Sequence, residues 1–278
     1  MCSYERDSSS VVVVKLGGSV LSSEQAYARA AEFLCRRLVA APAERIVAVV
    51  SAQQGVTDAL ERTSREILRT AGDRALHLLW STGEIRSVAL LALHLQARGI
   101  AAAALNVHET GLRLDAHEAG ATEASLHYSR LHAELAIHRV AVVPGFLATD
   151  AHGRIVALGR GGSDLTAVLL ANGLGAARCE LVKDVPGYFS ADPHRDAAAR
   201  HLSALTFEGA LRMADHGCDL VQRRALEIAA EAGLPIVVRA MEESARSSTV
   251  SRAAAGDRCA EADDSQETSV ATLAVSEA

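Results

Sequence analysis

Lysine is almost missing from this 278-residue chain: of its 28 basic residues only Lys15 and Lys183 are lysines, and the rest are arginines. In a chain that so disfavours lysine, the two positions that keep it are informative. Aromatic residues are scarce, at 3%, and there are five prolines. An excess of positive charge is lacking too. Lys and Arg number 28 against 34 Asp and Glu, a net charge of −6, which argues against a nucleic-acid partner, whose phosphates call for a basic surface. No apolar run approaches the roughly 18 residues that cross a bilayer, so no membrane association is expected. The start of the chain is polar and of mixed charge, and Val11 to Val14 is too brief for a signal-peptide core, so export is not expected. Cys2, Cys35, Cys179, Cys218 and Cys259 are odd in number, scattered and without a Cys-x-x-Cys pair. They point away from a disulfide framework or a zinc site and suit the reduced thiols of a cytoplasmic protein.

What is present is a large apolar fraction, 49%, enough to bury a sizeable core. It is arranged in alternating units. Val11 to Leu16 reads as a buried strand running into Gly17-Gly18-Ser19 and then a helix from Glu24 to Val39. Arg45 to Val50 repeats the pattern, with a polar turn from Ser51 to Gly55 and a helix from Val56 to Thr70. Strands alternating with helices predict a parallel sheet covered on both faces. Leu76 to Ala97 reads as a helix, although Gly83 inside it costs about 1 kcal/mol relative to alanine. Ile100 to Leu105 reads as a strand, and the polar, His-rich stretch Leu112 to His138 as loop and helix. Arg139 to Val143 is a further strand, and Phe146–Thr149 with Arg154–Leu158 a hairpin. Gly159 to Asp164 opens a helix to Leu174. Cys179 to Val182 reads as a strand and Lys183 to Pro193 as a loop. Helices over Thr206 to His216 and Leu220 to Ala232, and strands at Pro235 to Arg239 and Ser248 to Ser251, complete the pattern. Residues 1–10 and the acidic 253–278 are expected to be disordered.

Two glycine-rich turns, each between a strand and a helix, are anion-binding candidates, because free backbone N–H groups and the helix dipole favour negative charge there. Lys15 precedes the first. An incidental lysine beside a tight turn is the plain alternative for that motif alone. Several nucleotide and hydrolase motifs are absent: Gly-x4-Gly-Lys-Ser/Thr, Gly-x-Gly-x-x-Gly, and a nucleophile elbow around Ser163. His108-Glu109 and His117-Glu118 lack the histidine of a zincin helix. No metal ligand set is expected.

Taken together, the turns resemble the amino acid kinase superfamily, and look most like the catalytic domain of aspartokinases. The segments that carry the resemblance are Lys15-Leu16-Gly17-Gly18-Ser19, Ser51-Ala52-Gln53-Gln54-Gly55-Val56-Thr57, Ser81-Thr82-Gly83-Glu84, Gly145-Phe146 with Leu158 to Asp164, and Asp184 to Pro193. They occur in the family's order from about Val11 to Ser251. The resemblance implies a three-layer αβα sandwich with a mainly parallel sheet, the amino acid kinase or carbamate kinase-like fold, over 11–252. It implies an amino-acid lobe at about 11–145 and a nucleotide lobe at 146–252. The implied reaction moves the γ-phosphoryl of ATP to the side-chain carboxylate of L-aspartate, with Mg²⁺ bridging the phosphates. A carboxylate is already ionised at pH 7, so positioning and charge neutralisation carry such a reaction.

By the resemblance, Lys15 neutralises the transferred phosphoryl and Gly17, Gly18 and Ser19 cradle it; Asp164 orients Lys15 or the reacting groups. Glu84 takes the substrate ammonium, and Arg160 clamps a carboxylate beside Ser51, Gly161, Gly162 and Ser163. Asp184, Phe189 and His194 fall on the nucleotide side. The bland alternatives are a solvated Glu84, an Arg160 surface ion pair and an Asp164 helix cap. The departures lie on the nucleotide side. Lys183 stands where threonine is usual and His194 where arginine is usual. The family's Gly-Ala-Lys-Val-Leu-His-Pro becomes Gly217-Cys218-Asp219-Leu220-Val221-Gln222-Arg223. A carboxylate at Asp219 repels a triphosphate, and Lys183 is expected to compensate. Many aspartokinases continue into ACT regulatory domains; here only the acidic tail follows Ser251, so end-product feedback through such domains is not expected. The resemblance also implies a homodimer through the N-terminal lobe. Two other functions are compatible with the same residues: a kinase of this fold acting on another small amino acid or carboxylate, and a non-catalytic homologue with a binding or regulatory role.

Overall fold

The computed structural model describes residues 10–69, 72–116, 122–159, 161–193, 195–196, 198–242 and 246–252. The expectations for 1–9 and 253–278, and for Arg160 and His194, lie outside the described residues. In chain order the elements begin with β1 (Val11–Leu16), α1 (Glu24–Ala40), β2 (Arg45–Val50), α2 (Val56–Ile67) and α3 (Asp73–Gln96). There follow β3 (Ala102–Ala104), a 3-10 turn (Val107–Thr110), β4 (Leu112–Ala116), β5 (Thr122–Leu126), α4 (Ser129–Ile137) and β6 (Val140–Pro144). The hairpin β7 (Leu147–Thr149) and β8 (Ile155–Ala157) leads to α5 (Gly162–Gly173), β9 (Cys179–Lys183), β10 (Tyr188–Phe189), β11 (His201–Leu202) and β12 (Ala204–Thr206). The chain continues with α6 (Phe207–Asp215), α7 (Arg223–Ala232), β13 (Ile236–Ala240) and β14 (Ser247–Ser251).

The main sheet has eight strands in the order β12-β14-β13-β9-β1-β2-β6-β3. Within it β13 and β14 run antiparallel and the other neighbours run parallel. Side chains alternate across a strand, and the two faces collect different partners. Val12, Val14 and Leu16 of β1 join Ile46, Ala48 and Val50 of β2 under α1 and α3. Val13, Val47, Val49 and Leu181 face the other way, under α4, α5, α6 and α7. The result is a three-layer αβα sandwich with helices on both faces. A smaller four-stranded sheet, β5-β4-β7-β8, lies beside it.

Three local expectations are corrected. Leu112 to His138 is not only loop and helix, because Leu112–Ala116 pairs antiparallel with Thr122–Leu126 before α4 begins. Lys183 does not open a loop; it ends β9, in register with Ala240 of β13. The last long helix begins at Arg223 rather than Leu220. Gly83 has a packing reason that offsets its cost: a Cβ there would stand 3.0 Å from Val56 Cγ1 and 3.1 Å from Ala52 Cβ. The missing side chain lets α3 approach the turn after β2.

Candidate functional site

The connection from β1 leads to β2 on one side, and β9 returns to the other side of β1. The carboxyl ends of β1 and β9 therefore flank a topological switch point, where open α/β sheets hold ligands. The turns line up there: Ser51 N–H donates to Leu16 O at 3.1 Å, and Gly145 N–H to Val50 O at 2.8 Å.

Strand parity decides what fills the crevice. Lys15 shares the face of Val13, and Lys183 that of Leu181, so both ammoniums turn toward α5. They meet one carboxylate. Lys15 Nζ lies 2.8 Å from Asp164 Oδ1 and Lys183 Nζ donates to Asp164 Oδ2 at 2.8 Å. The three side chains are 8%, 14% and 4% exposed for Lys15, Lys183 and Asp164. Asp164 sits in the first turn of α5, whose dipole favours an anion; the N-cap position itself belongs to Gly161, at φ 68°. Burial alone raises a carboxyl pKa, but the two ammoniums outweigh it and hold Asp164 well below the usual carboxylate range. Burial lowers the Lys183 pKa against the pull of Asp164. Gly17 gives Lys15 its room, since a Cβ there would stand 3.0 Å from Nζ.

Beside this cluster opens a cleft of about 270 Å³, lined among others by Gly18, Ser51, Gln53, Glu84, Phe146 and Ser163. Ser51 Oγ donates to Ser163 Oγ at 2.9 Å, tying the turn after β2 to α5. Glu84 is only 3% exposed, and its Oε2 is buried with no hydrogen-bond partner among the described residues. Burial pushes its pKa up to about 8, against the Ala52 backbone hydrogen bond and the Lys15 charge. A buried carboxyl oxygen without a partner is costly, and a cationic group is of the chemistry that could pair with it.

The remaining sequence candidates lie as follows. Gly161 and Gly162 form the α5 entry, and Gly18 packs with its Cα against Ala52 O, 3.1 Å from an added Cβ. Ser19 and Asp184 are exposed, and Asp184 is near enough to act on the Lys183 charge. Phe189 packs edge-on against His201, with ring centroids 5.3 Å apart. Asp219 is exposed. Gln222, noted in the sequence only as a departure on the nucleotide side, has its backbone N–H 3.4 Å from Asp164 Oδ2 and its side chain fills the space over Gly161. Sequence reasoning gave Phe146 no role of its own and passed over Trp80; their rings meet at 5.7 Å, and the position of the single tryptophan directly before Ser81-Thr82-Gly83-Glu84 was the available signal.

A doubly wound sheet with paired lysines and glycine turns at its switch point defines the class of α/β protein with a ligand crevice at the carboxyl ends of its strands. The amino acid kinase family matches residues 10–240, and the chain belongs to that family. It is 34% identical to the aspartokinase of Pseudomonas aeruginosa over 228 residues, which is 82% of this chain and 55% of that one. The aspartate kinase of Synechocystis superposes with a TM-score of 0.76 at 30% identity, covering 89% of this chain and 40% of that one. E. coli aspartokinase III, in complex with aspartate and ADP, gives 0.72 at 24% identity, covering 88% and 65%; that likeness is one of fold. The chain spans about half the length of the curated relatives it matches.

Proposed function

We propose that the chain is an aspartokinase-type phosphotransferase, moving the γ-phosphoryl of ATP to the side-chain carboxylate of L-aspartate to give 4-phospho-L-aspartate. The observation that carries this reading is the convergence of both lysines of the chain on Asp164, beside a cleft holding the buried Glu84 carboxyl, one of whose oxygens has no partner among the described residues. Its similarity to aspartokinases supports the choice of acceptor.

In this reading the acceptor carboxylate is the nucleophile and needs no general base. Two ammoniums against one carboxylate leave a positive charge in a site shielded from water, where it is worth most to a transferring phosphoryl. Lys15 neutralises the phosphoryl, and Lys183 adds the charge that Asp219 withholds. Asp164 holds both lysines in place. Gly17, Gly18 and Ser19, with the α5 entry at Gly161, Gly162 and Ser163, offer N–H and hydroxyl donors. Glu84 receives the acceptor ammonium, with Ser51 and Arg160 on the acceptor side. Asp184, Phe189 and His194 belong to the nucleotide side. The amino-acid lobe is then about 11–145 and the nucleotide lobe 146–252. No group of three or more His, Cys, Asp or Glu suited to a metal exists among the described residues, and Asp164 is taken by lysines. Mg²⁺ would thus be held by the nucleotide phosphates rather than by a protein cage.

A homodimer through the first lobe belongs to the same proposal. Leu78, Ile85 and Leu93 are exposed on α3, and their spacing of seven and eight residues aligns them on one face. A cytoplasmic setting suits the free Cys35, Cys179 and Cys218. Among the described residues no helix is long and apolar enough to cross a membrane.

The test is Mg·ATP-dependent acyl phosphate formation, trapped with hydroxylamine, using aspartate, glutamate, other amino acids and no acceptor. Hydroxamate with aspartate supports the reading; none with any acceptor contradicts it and favours a binding or regulatory role.

A further inference from the structure

We propose that Trp80 sets the depth of the acceptor cleft by holding Phe146, and so discriminates between acceptors that differ by one methylene. The proposal rests on the carboxylate-acceptor reading above. Trp80 is a positioning residue here, since Phe146 lines the cleft beside Glu84 and Ser163.

Trp80 and Glu84 are four residues apart on α3 and project from one face of it. The Trp80 ring lies 5.7 Å from that of Phe146, tilted by 53°, and 5.6 Å from that of His77. Phe146 needs support, because it has a positive φ of 65°, which no other non-glycine residue among those described has. Such a conformation persists only where surroundings enforce it. Three contacts do so. Leu158 N–H donates to Phe146 O at 2.8 Å. The Phe146 ring occupies the space of the absent Gly162 side chain, with Cδ2 3.0 Å from where a Cβ would stand. The indole of Trp80 supplies the third.

The aromatic pair is thus wedged between the helix that carries Glu84 and the turn that starts α5. A second observation marks Trp80 as retained for its bulk. Its Nε1 is buried without a hydrogen-bond partner among the described residues, although a buried indole N–H ordinarily finds one. A phenylalanine or leucine would avoid that cost and leave Phe146 less firmly held. With a smaller residue at this position the Phe146 ring gains room to withdraw, and the cleft accepts a longer side chain. One methylene in a rigid pocket is worth about 10–200-fold in specificity.

The experiment compares Trp80→Ala and Trp80→Phe with the unaltered protein, using L-aspartate and L-glutamate as acceptors. Trp80→Ala is expected to lower the aspartate-to-glutamate ratio of kcat/KM about tenfold or more, through the acceptor KM, with the ATP KM unmoved. Trp80→Phe keeps a smaller ring against Phe146 and lowers the ratio less than Trp80→Ala does; Trp80→Leu replaces the alanine variant if that one does not fold. An unchanged ratio, or an ATP KM that rises in step with the acceptor KM, overturns the proposal. If the unaltered protein phosphorylates neither acid, the carboxylate-acceptor reading has failed, and the inference is then tested by binding alone. Fluorescence of Trp80, the single tryptophan, is titrated with each amino acid: a shift with aspartate and none with glutamate supports the proposal, and no shift with any amino acid overturns it.

Discussion

The two ends of β9 carry two buried charge clusters built on opposite plans. At the amino end, Glu180 shares the face of Val182 and meets arginines. It pairs with Arg37 and, at 2.6 Å, with Arg178. Glu44 closes the ring, 2.9 Å from Arg37 and 2.7 Å from Arg178, and Arg239 stands 3.9 Å from Glu180. Each carboxylate there has arginine partners, and the Arg178 and Arg37 hydrogen bonds outweigh burial and hold Glu44 below its ordinary pKa. At the carboxyl end, three residues further along the strand, the cations are lysines and the charges are incompletely matched. One Asp164 serves two ammoniums, and Glu84 nearby has an oxygen with no partner among the described residues. The planar guanidinium satisfies carboxylates two oxygens at a time and suits a fixed framework; the compact ammonium leaves hydrogen-bond capacity to offer a ligand. The chain's near-exclusive use of arginine makes this division visible. Where charge joins α1 and β9 it uses arginine, and at the switch point, where the proposed function needs charge to act on a ligand, it uses lysine.

That contrast can be broken at either end. Glu180→Ala removes one of the two carboxylates shared by Arg37 and Arg178 and leaves Glu44 alone between them, and is expected to cost stability, up to about 3 kcal/mol. Denaturant unfolding should show this loss while kcat per folded molecule stays unchanged. Lys15→Ala should do the reverse: a fall in kcat of about 10²–10³-fold, the scale of removing one preorganised charge, with little change in unfolding midpoint. Lys183→Ala should raise the nucleotide KM more than about tenfold, equivalent to 1.4 kcal/mol, and leave the acceptor KM nearly unmoved; steady-state kinetics with each substrate varied in turn separates the two.

Glu84 sharpens the comparison through pH. Its pKa is raised to about 8 in the folded protein, so the native state holds a proton that the unfolded chain releases near pH 4.3. The stability it contributes is therefore fully present below that unfolded value and is lost as pH rises toward about 8. Glu84→Gln should gain in melting temperature relative to the unaltered protein as the buffer moves from acid to mildly alkaline. In the proposed function acceptor binding demands the ionised Glu84 carboxylate, so the acceptor KM of the unaltered protein should fall as pH rises toward 8, by less than about tenfold per unit. A KM independent of pH over that range would show that Glu84 does not meet the ammonium.

Much of the frame was legible in the sequence because it rests on local signals. The valines of β1, the glycine turns at Gly17 and Gly161, and the hairpin around Asp150 and Gly153 announce themselves by periodicity and turn chemistry. So does Asp164 at the start of α5. What escaped depends on residues far apart in the chain. Lys183 read as loop because a charged residue rarely ends a buried strand; only its pairing with Asp164, on α5, makes that position tolerable. The β4–β5 pair was hidden by polar composition, and β10, β11 and β12 are too short to carry a period. The strand through Glu180 was legible, but the partners of that buried charge, Arg37 and Arg178, were not, because packing alone brings Arg37 of α1 beside it. The contacts of Gln222 with Asp164 and of Trp80 with Phe146 are likewise products of packing.

The most direct measurement of the division of labour along β9 is a pair of charge-conserving swaps, one at each end, assayed by hydroxylamine-trapped acyl phosphate per folded molecule. Arg37→Lys keeps a cation beside Glu180, loses the forked geometry and should cost stability while keeping the rate within about threefold, a change of less than 1 kcal/mol in barrier. Lys15→Arg keeps the charge beside Asp164, crowds the space left by Gly17, and should lower the rate about a hundredfold or more. Equal losses of rate at both ends, or none at either, would contradict the account.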